Sequence, residues 1–313
     1  MKITVIVPLY NKAATIERTL RSIAMQTLDD FEAIVVDDGS TDGGEKIVEA
    51  FGDGRIRMIR QANAGPGAAR NRALAEARGA FVAFLDADDE WLPTFLAKSL
   101  AHLESSGVAA VASGYLKFPE GAPQTAMWRQ RGLKETTYRL TADVDPQLVV
   151  FLLAYFSPWN TVARTEVVRR WGGFFDAWKC LYAEDSFLWL KVMLNEAVAV
   201  RFEPLVKFHT EASALSNNLK GARPVEPMLI QPEELEAACP APLRGLLRDV
   251  LALRAMKTAS MLAYWGKTRE ARALLGRFCG WRDWRRPQYG VARLAASRVG
   301  NVAGRAIRWA RGQ

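Results

Sequence analysis

No apolar run in this chain approaches the roughly 18 residues that a membrane-spanning helix needs. The longest, LVVFLLAYF at 148–156, reads as a buried segment. Cysteine is scarce: Cys180, Cys239 and Cys279 are odd in number, far apart and without metal-ligand spacing. That argues against a disulfide framework and for a reducing compartment. No G-x-G-x-x-G follows the first apolar stretch, where the chain reads Pro-Leu-Tyr-Asn-Lys. A Rossmann dehydrogenase and a sugar nucleotidyltransferase both want glycines there, so both classes are disfavoured. There is no internal repeat and no low-complexity tract. The opening MKITVIVPLY has a single lysine before its apolar residues and is expected to begin a strand, not a signal peptide.

What is present suits a folded enzyme. With 313 residues, half of them hydrophobic, the chain can bury one large α/β core and carry a smaller appendage. The net charge of +8 is unevenly spread. Residues 241–313 carry 16 Lys and Arg against 3 Asp and Glu, whereas residues 1–240 carry 26 against 31. A basic extension on a mildly acidic body points to an anionic surface, phospholipid or nucleic acid, as partner.

Apolar β-branched runs at 3–10, 31–40, 56–60 and 81–89 read as strands, and helical periodicity fills 13–27, 42–51 and 65–79. Such alternation predicts a mostly parallel sheet with helices on both faces. Ligands of such sheets bind beyond the carboxyl ends of the strands. Three strands end in polar clusters, Tyr10-Asn11, Asp37-Asp38 and Asp86/Asp88/Asp89, which should therefore meet in space. A helix is expected at 93–106, a strand at 108–116, a polar stretch at 119–146 and a second α/β section at 147–210. From Pro232 the chain turns helical, with helices at 241–265 and 267–278.

Asp86 and Asp88, two apart at a strand end, are read as sharing a face. Like charges so placed need a cation, and hard carboxylate oxygens suit Mg²⁺ or Mn²⁺. Alone, the pair is matched by the reading of a solvated acidic turn. Asp37-Asp38-Gly39-Ser40 alone is ordinary turn chemistry.

Taken jointly, VIVPLYN, VVDDGSTD, NAGPGAARNRAL and AFLDADDEWLP resemble the family 2 glycosyltransferases, and the likeness continues through SPWNTVARTEVVRRWGGFFD, AEDSFLWLK and FHTEASALS in the family's order. It spans roughly residues 3–216. The resemblance implies a GT-A fold (Rossmann-like) over residues 1–220, with 221–313 as a basic helical C-terminal extension. It implies inverting, hexosyltransferase-type transfer from a UDP-type nucleotide sugar to a hydroxyl, with Mn²⁺ or Mg²⁺ as cofactor. Pro8, Tyr10 and Asn11 would line the nucleoside pocket, with Asp38 accepting from the base imide. Asn63 and Arg70 would sit near ribose and diphosphate, Asp86 would face ribose and sugar, and Asp88 would hold the metal. Asp185 would be the general base, with Glu184 beside it as the next candidate. His209 would approach the diphosphate or its metal. Trp159 and Trp171 are candidate stacking platforms.

If 291–311 is one helix, Val291, Ala295, Val299, Val302, Ala306 and Trp309 share a face opposite Arg293, Arg298, Arg305, Arg308 and Arg311. Such a basic amphipathic helix reads as a membrane-surface segment. The expected setting is therefore cytoplasmic, peripheral at the cytosolic face of a membrane; the family resemblance implies a glycan or lipid-linked acceptor and a role in cell-surface polysaccharide or glycolipid biosynthesis. A basic nucleic-acid-binding protein is the rival reading from another class. Trp281, Trp284 and Trp309 among the arginines are its only support, and no nucleic-acid partner is expected.

Overall fold

The computed structural model describes residues 1–212, 221–297 and 300. The chain forms two compact units, Met1–Leu140 with Phe151–Asn217, and Thr141–Val150 with Asn218–Gln313.

The first unit begins with parallel strands β1 (Ile3–Leu9), β2 (Phe31–Asp37), β3 (Ile56–Arg60) and β4 (Phe81–Phe84), joined by helices α1 (Ala13–Ala24), α2 (Gly44–Ala50) and α3 (Pro66–Glu76). There follow β5 (Glu90–Trp91), α4 (Phe95–Ser106), β6 (Ala110–Phe118), β7 (Ala122–Pro123), α5 (Thr125–Gln130), β8 (Thr136–Tyr138) and α6 (Pro146–Tyr155), of which the part up to Val150 is counted with the second unit. The last elements are β9 (Thr161–Arg164), α7 (Thr165–Arg170), α8 (Glu184–Asn195) and β10 (Val198–His209). The sheet runs β3-β2-β1-β4-β9-β6-β10-β5, with β7 on β6 and β8 on β10. β9 is antiparallel to both neighbours and β5 to β10, while β6 and β10 are parallel. The mixed but mostly parallel α/β architecture agrees with the expected GT-A class.

Both faces of the central strands are covered, as their unbroken apolar runs require. Ile3, Val5, Val7 and Leu9 of β1 pack with Ile16, Leu20 and Ile23 of α1 and with Leu96, Leu100 and Leu103 of α4. On the opposite face Phe84 meets Phe174 edge-to-face at 4.9 Å and Trp189 of α8 at 6.4 Å. Pro8 does not stop β1, because β4 pairing ends at Ile6↔Phe84 and the missing donor falls beyond it.

Two expectations change. β4 ends at Phe84, so Asp86 to Asp89 form a turn, closed by Asp89 N–H donating to the Asp86 carbonyl at 3.0 Å. Asp86 and Asp88 are thus brought together by a turn, and strand alternation does not apply. The stretch 119–146 is also more ordered than its polarity suggests, because β7 and β8 complete their hydrogen bonds on β6 and β10.

In the second unit α9 (Pro227–Ile230) and α10 (Pro232–Ala238) precede α11 (Arg244–Tyr264), α12 (Thr268–Phe278) and α13 (Pro287–Ala295). Ala252, Met256, Ala259, Leu262 and Leu275 form its core. Gly266, with φ of 83°, ends α11: its N–H reaches the Ala263 carbonyl and Lys267 N–H the Leu262 carbonyl, both at 2.9 Å. The expectation of one helix over 291–311 is not met: α13 opens at Pro287 and ends at Ala295, with a turn at Ala296 and Ser297. The remainder, 298–299 and 301–313, lies outside the described residues. No described helix is long and apolar enough to cross a membrane.

Gly67 in α3 is a close-approach glycine: a Cβ there would stand 2.3 Å from the Phe175 carbonyl oxygen. We expect Gly67→Ala to lower stability by about 1–3 kcal/mol in urea unfolding. Gly54→Ala, where an added Cβ meets nothing, should change it by under about 0.5 kcal/mol. Equal midpoints for the two variants would refute the packing assignment.

Candidate active site

The polar strand ends do meet. Beyond β1, Asn11 takes a left-handed backbone (φ 50°) that asparagine tolerates. It ties the β1 end to the turn after β2: its N–H donates to Ser40 Oγ at 3.1 Å and its Oδ1 accepts from Thr41 N–H at 2.9 Å. Asp42 Oδ2 accepts from Ala13 N–H at 2.8 Å, fixing the start of α1 to the same turn. Pro8 is half-buried, whereas Tyr10 stands 49% exposed at the strand end. Asp38 is buried, and its carboxylate anchors the loop after β3. Oδ1 accepts from Gln61 Nε2 and Ala64 N–H and Oδ2 from Gly65 N–H, each at 2.8 Å. Three of its four acceptor directions are thus used within the protein. Asn63 lies on this loop, pressed against Gly39, where a Cβ would come within 3.1 Å of the Asn63 nitrogen.

One edge of α1 grips the 86–89 turn by its backbone. Thr15 Oγ1 donates to the Ala87 carbonyl at 2.8 Å, Arg18 Nη2 to Asp88 at 2.6 Å and Thr19 Oγ1 to Asp89 at 2.8 Å. The side chains are left to point elsewhere. Asp88 meets the Lys12 ammonium at 2.5 Å, and that ammonium also donates to the Ala212 carbonyl at 2.8 Å. Burial, with Asp86 nearby, raises the Asp88 carboxyl above its ordinary range, and Lys12 only partly opposes this. Asp89 is raised further, by burial and then by Asp88 and Asp86. Its Oδ1 accepts from His209 N–H at 2.8 Å. The His209 ring is turned to Glu90 (Nε2, 2.8 Å) and Glu211 (Nδ1, 2.7 Å). Neither ring nitrogen can ligate a metal here without releasing a carboxylate.

Arg70, 3% exposed on α3, joins this turn to α8. Nη2 donates to Asp86 Oδ1 at 2.6 Å and Nη1 to Glu184 Oε1 at 2.7 Å. Its Nε is buried with no hydrogen-bond partner. Burial works against the guanidinium charge, but Asp86 and Glu184 outweigh it and raise its affinity for the proton. The next residue, Asp185, keeps part of its surface open, yet protein crowds it closely. Burial, then Glu184, pushes its carboxyl up to about 7, against the pull of Arg70 and of a hydrogen bond from Ser186 N–H at 2.7 Å. Before α8 the chain is strained: Trp178, Lys179 and Ala183 all have positive φ, at 55°, 52° and 60°.

The structure therefore gathers Asp86, Arg70, Glu184 and Asp185 into one linked cluster, with Asp88 in the same turn as Asp86. Asn11, Asp38 and Asn63 act here as ties between loops. Trp159 is buried, its ring stacked on Phe208 at 4.8 Å, and Trp171 is turned to Glu196, so neither offers an open platform. Three features escaped the sequence reading. The Lys12 contact needs a fold to be seen. The Thr15, Arg18, Thr19 edge was visible as polar helical spacing, but not what it would hold. Trp178, 67% exposed in the loop before α8, carried no sequence signal that set it apart from core tryptophans.

A mostly parallel α/β unit with its acidic cluster beyond the strand ends is the architecture of nucleotide-sugar glycosyltransferases of the GT-A type. S. aureus TarS (residues 1–349, in complex with UDP) superposes with a TM-score of 0.65 at 22% identity, over 100% of this chain and 92% of that one. The mannosyltransferase PcManGT from Pyrobaculum calidifontis, in complex with GDP-Man and Mn²⁺, gives 0.57 at 21%, over 98% and 86%. The sequence model described as Glycosyl transferase family 2 matches residues 4–169, and the chain belongs to that family. Among curated relatives, the uncharacterized glycosyltransferase EpsJ of Bacillus subtilis (strain 168) is 31% identical over 191 residues, covering 59% of this chain and 54% of its own. TuaG of the same organism, provisionally described as a teichuronic acid biosynthesis glycosyltransferase, is 39% identical over 125 residues, 39% of this chain and 50% of its own. The match thus spans about half the length of each of these two relatives.

Because the Asp185 carboxyl is raised in the folded protein, folding favours its protonated form. Its stabilising contribution is complete below about pH 4 and lost as pH rises through about 7. We expect Asp185→Asn to gain melting temperature over the parent progressively from about pH 4 to 7, then hold that gain. A gap independent of pH would contradict the raised carboxyl.

Proposed function

We propose that the site catalyses inverting transfer of a sugar, of hexosyltransferase type, from a UDP-type nucleotide sugar to an acceptor hydroxyl, with Asp185 as general base. The observation that carries the reading is the Arg70-linked cluster, which sets a carboxyl held near 7 beside the carboxylates at the β4 end. A base works best when its pKa lies near the working pH. TarS has been crystallised with UDP and with UDP-GlcNAc, which supports a uridine donor here.

Tyr10, exposed at the end of β1, would stack on the base, and Pro8 and Asn11 would shape the pocket. Asp38 has one acceptor direction left for a base N–H. Asn63 and Arg70 would border the ribose and diphosphate. The acceptor oxygen forms a bond to C1 as the C1–oxygen bond to the diphosphate breaks on the opposite face. The electron pair leaves with the phosphate oxygen, and the hydroxyl proton passes to Asp185. Glu184, committed to Arg70, positions the helix that carries the base.

The residues fit a divalent cation. Asp86, Asp88, Asp89, Glu184 and Asp185 outnumber Lys12 and Arg70, and burial, then the neighbouring carboxylates, raises the carboxyls of Asp88 and Asp89. Asp88, with Asp86, would hold it, and an ammonium already contacts Asp88. Among the described residues no three His, Cys, Asp or Glu side chains are arranged to hold a metal, so phosphate oxygens would complete the coordination. When bound, Mg²⁺ or Mn²⁺ would offset the charge that gathers on the departing diphosphate. PcManGT carries Mn²⁺ together with its sugar nucleotide. His209 would join the ligands only by giving up Glu90 or Glu211. The proposed setting is the cytosolic face of a membrane, in synthesis of cell-surface polysaccharide or glycolipid, in line with TuaG and with the basic second unit.

Asp185→Asn is expected to bind UDP and metal like the parent while transfer falls at least about 10²-fold. Asp88→Asn should instead weaken UDP binding in the presence of Mn²⁺ or Mg²⁺. Calorimetry with and without chelator, alongside a turnover assay, checks both. Near-parental transfer by Asp185→Asn, or UDP affinity indifferent to chelator, would overturn the base or the metal assignment respectively.

A further inference from the structure

The second unit exposes apolar and basic side chains that neither its core nor the transfer site explains. Trp281–Arg285 form a 3-10 turn, in which side chains three apart eclipse one another. Trp281 and Trp284 therefore stand on one side, and they are 72% and 64% exposed. Val291 and Leu294, three apart on α13, are each 63% exposed, while Ala292 and Ala296 are buried. Asp283 is the only acid between Gly280 and Ser297, and it is turned inward: Oδ2 accepts from Gly280 N–H at 2.8 Å and Oδ1 pairs with Arg286 at 3.2 Å. Arg282, Arg285 and Arg293 remain exposed, with no carboxylate in ion-pair contact among the described residues. Arg282 lies over the Trp281 ring at 5.4 Å and Arg293 over Tyr289 at 5.7 Å. A cleft of about 520 Å³ opens here, lined by Arg272, Trp281, Trp284, Tyr289 and Arg293 with no acidic side chain.

Indole rings interleaved with guanidinium groups suit a boundary that is apolar on one side and anionic at its rim. Tryptophan concentrates at membrane–water interfaces, and arginine near such a surface gains from anionic headgroups. Exposed Val291 and Leu294 would gain nothing on a phosphate backbone of nucleic acid, but they can be buried among acyl chains. We propose that the exposed Trp281, Trp284, Val291 and Leu294, with Arg282, Arg285 and Arg293, dock this part of the second unit on a bilayer rich in anionic phospholipid. The inference rests on the membrane-face setting proposed above and names its surface and its lipid chemistry.

Sedimentation of the full chain with vesicles of phosphatidylcholine, with and without one-third phosphatidylglycerol, tests it. The parent should bind the anionic vesicles and release them at high salt. Each of Arg282→Gln, Arg285→Gln and Arg293→Gln should lower partitioning about five-fold. The pair Trp281→Ala and Trp284→Ala should lower it at least about ten-fold, with urea midpoints kept near the parent's. Anionic-vesicle binding undiminished in all variants would overturn this face while leaving the membrane setting standing. A parent that ignores anionic vesicles, whether or not it retards duplex DNA, would overturn both, and a vesicle-free transfer assay reads the enzyme reading separately.

Discussion

A single buried guanidinium holds the candidate site together. Arg70 is almost wholly removed from water, which would be costly for an unpaired cation. Its fork instead spans two carboxylates on different elements, Asp86 after β4 and Glu184 at the start of α8. Lysine, with one point charge, cannot make both contacts in that planar geometry. Gly67, one turn earlier on α3, lets the helix come down onto the Phe175 carbonyl. The position of α8, and with it Asp185, follows from that approach.

The second constraint is an excess of negative charge. Burial, and next the neighbouring carboxylates, raises the carboxyls of Asp88, Asp89 and Asp185, and Lys12 and Arg70 do not offset it. In the proposed function that imbalance serves two ends. It prepares a place for a divalent cation beside the diphosphate, and it keeps Asp185 able to take up a proton near neutral pH. Lys12 offers one ammonium where a divalent ion would offer more charge and more coordination. Its hydrogen bond to the Ala212 carbonyl shows that the ammonium is held from both sides.

Much of the first unit was legible because buried parallel strands are written as unbroken β-branched runs that end in polar residues. ITVIVPL, FEAIVVD and IRMIR became β1 to β3, and the meeting of Asn11, Asp38 and Asp88 with their neighbours followed from the rule that such ends converge. Less was legible where structure depends on distant partners. The 86–89 turn looked like the end of a strand, because sequence shows spacing and not the three α1 side chains that hold its carbonyls. Asp38 looked like a free reader of a base, because the loop N–H groups at Ala64 and Gly65 that it accepts from carry no side-chain signature. In the second unit Trp281, Trp284, Val291 and Arg293 were already noted in the sequence, but only the fold shows that Trp281, Trp284 and Val291 stand exposed.

The central claim is that Asp86 and Glu184 act through one shared guanidinium. A double-mutant cycle on the transfer rate, with Asp86→Asn, Glu184→Gln and their combination, tests it directly. Groups sharing a buried partner should couple, so the account predicts an interaction energy of about 1 kcal/mol or more. Additivity to within about 0.3–0.5 kcal/mol would show that the two carboxylates act independently, and would contradict it.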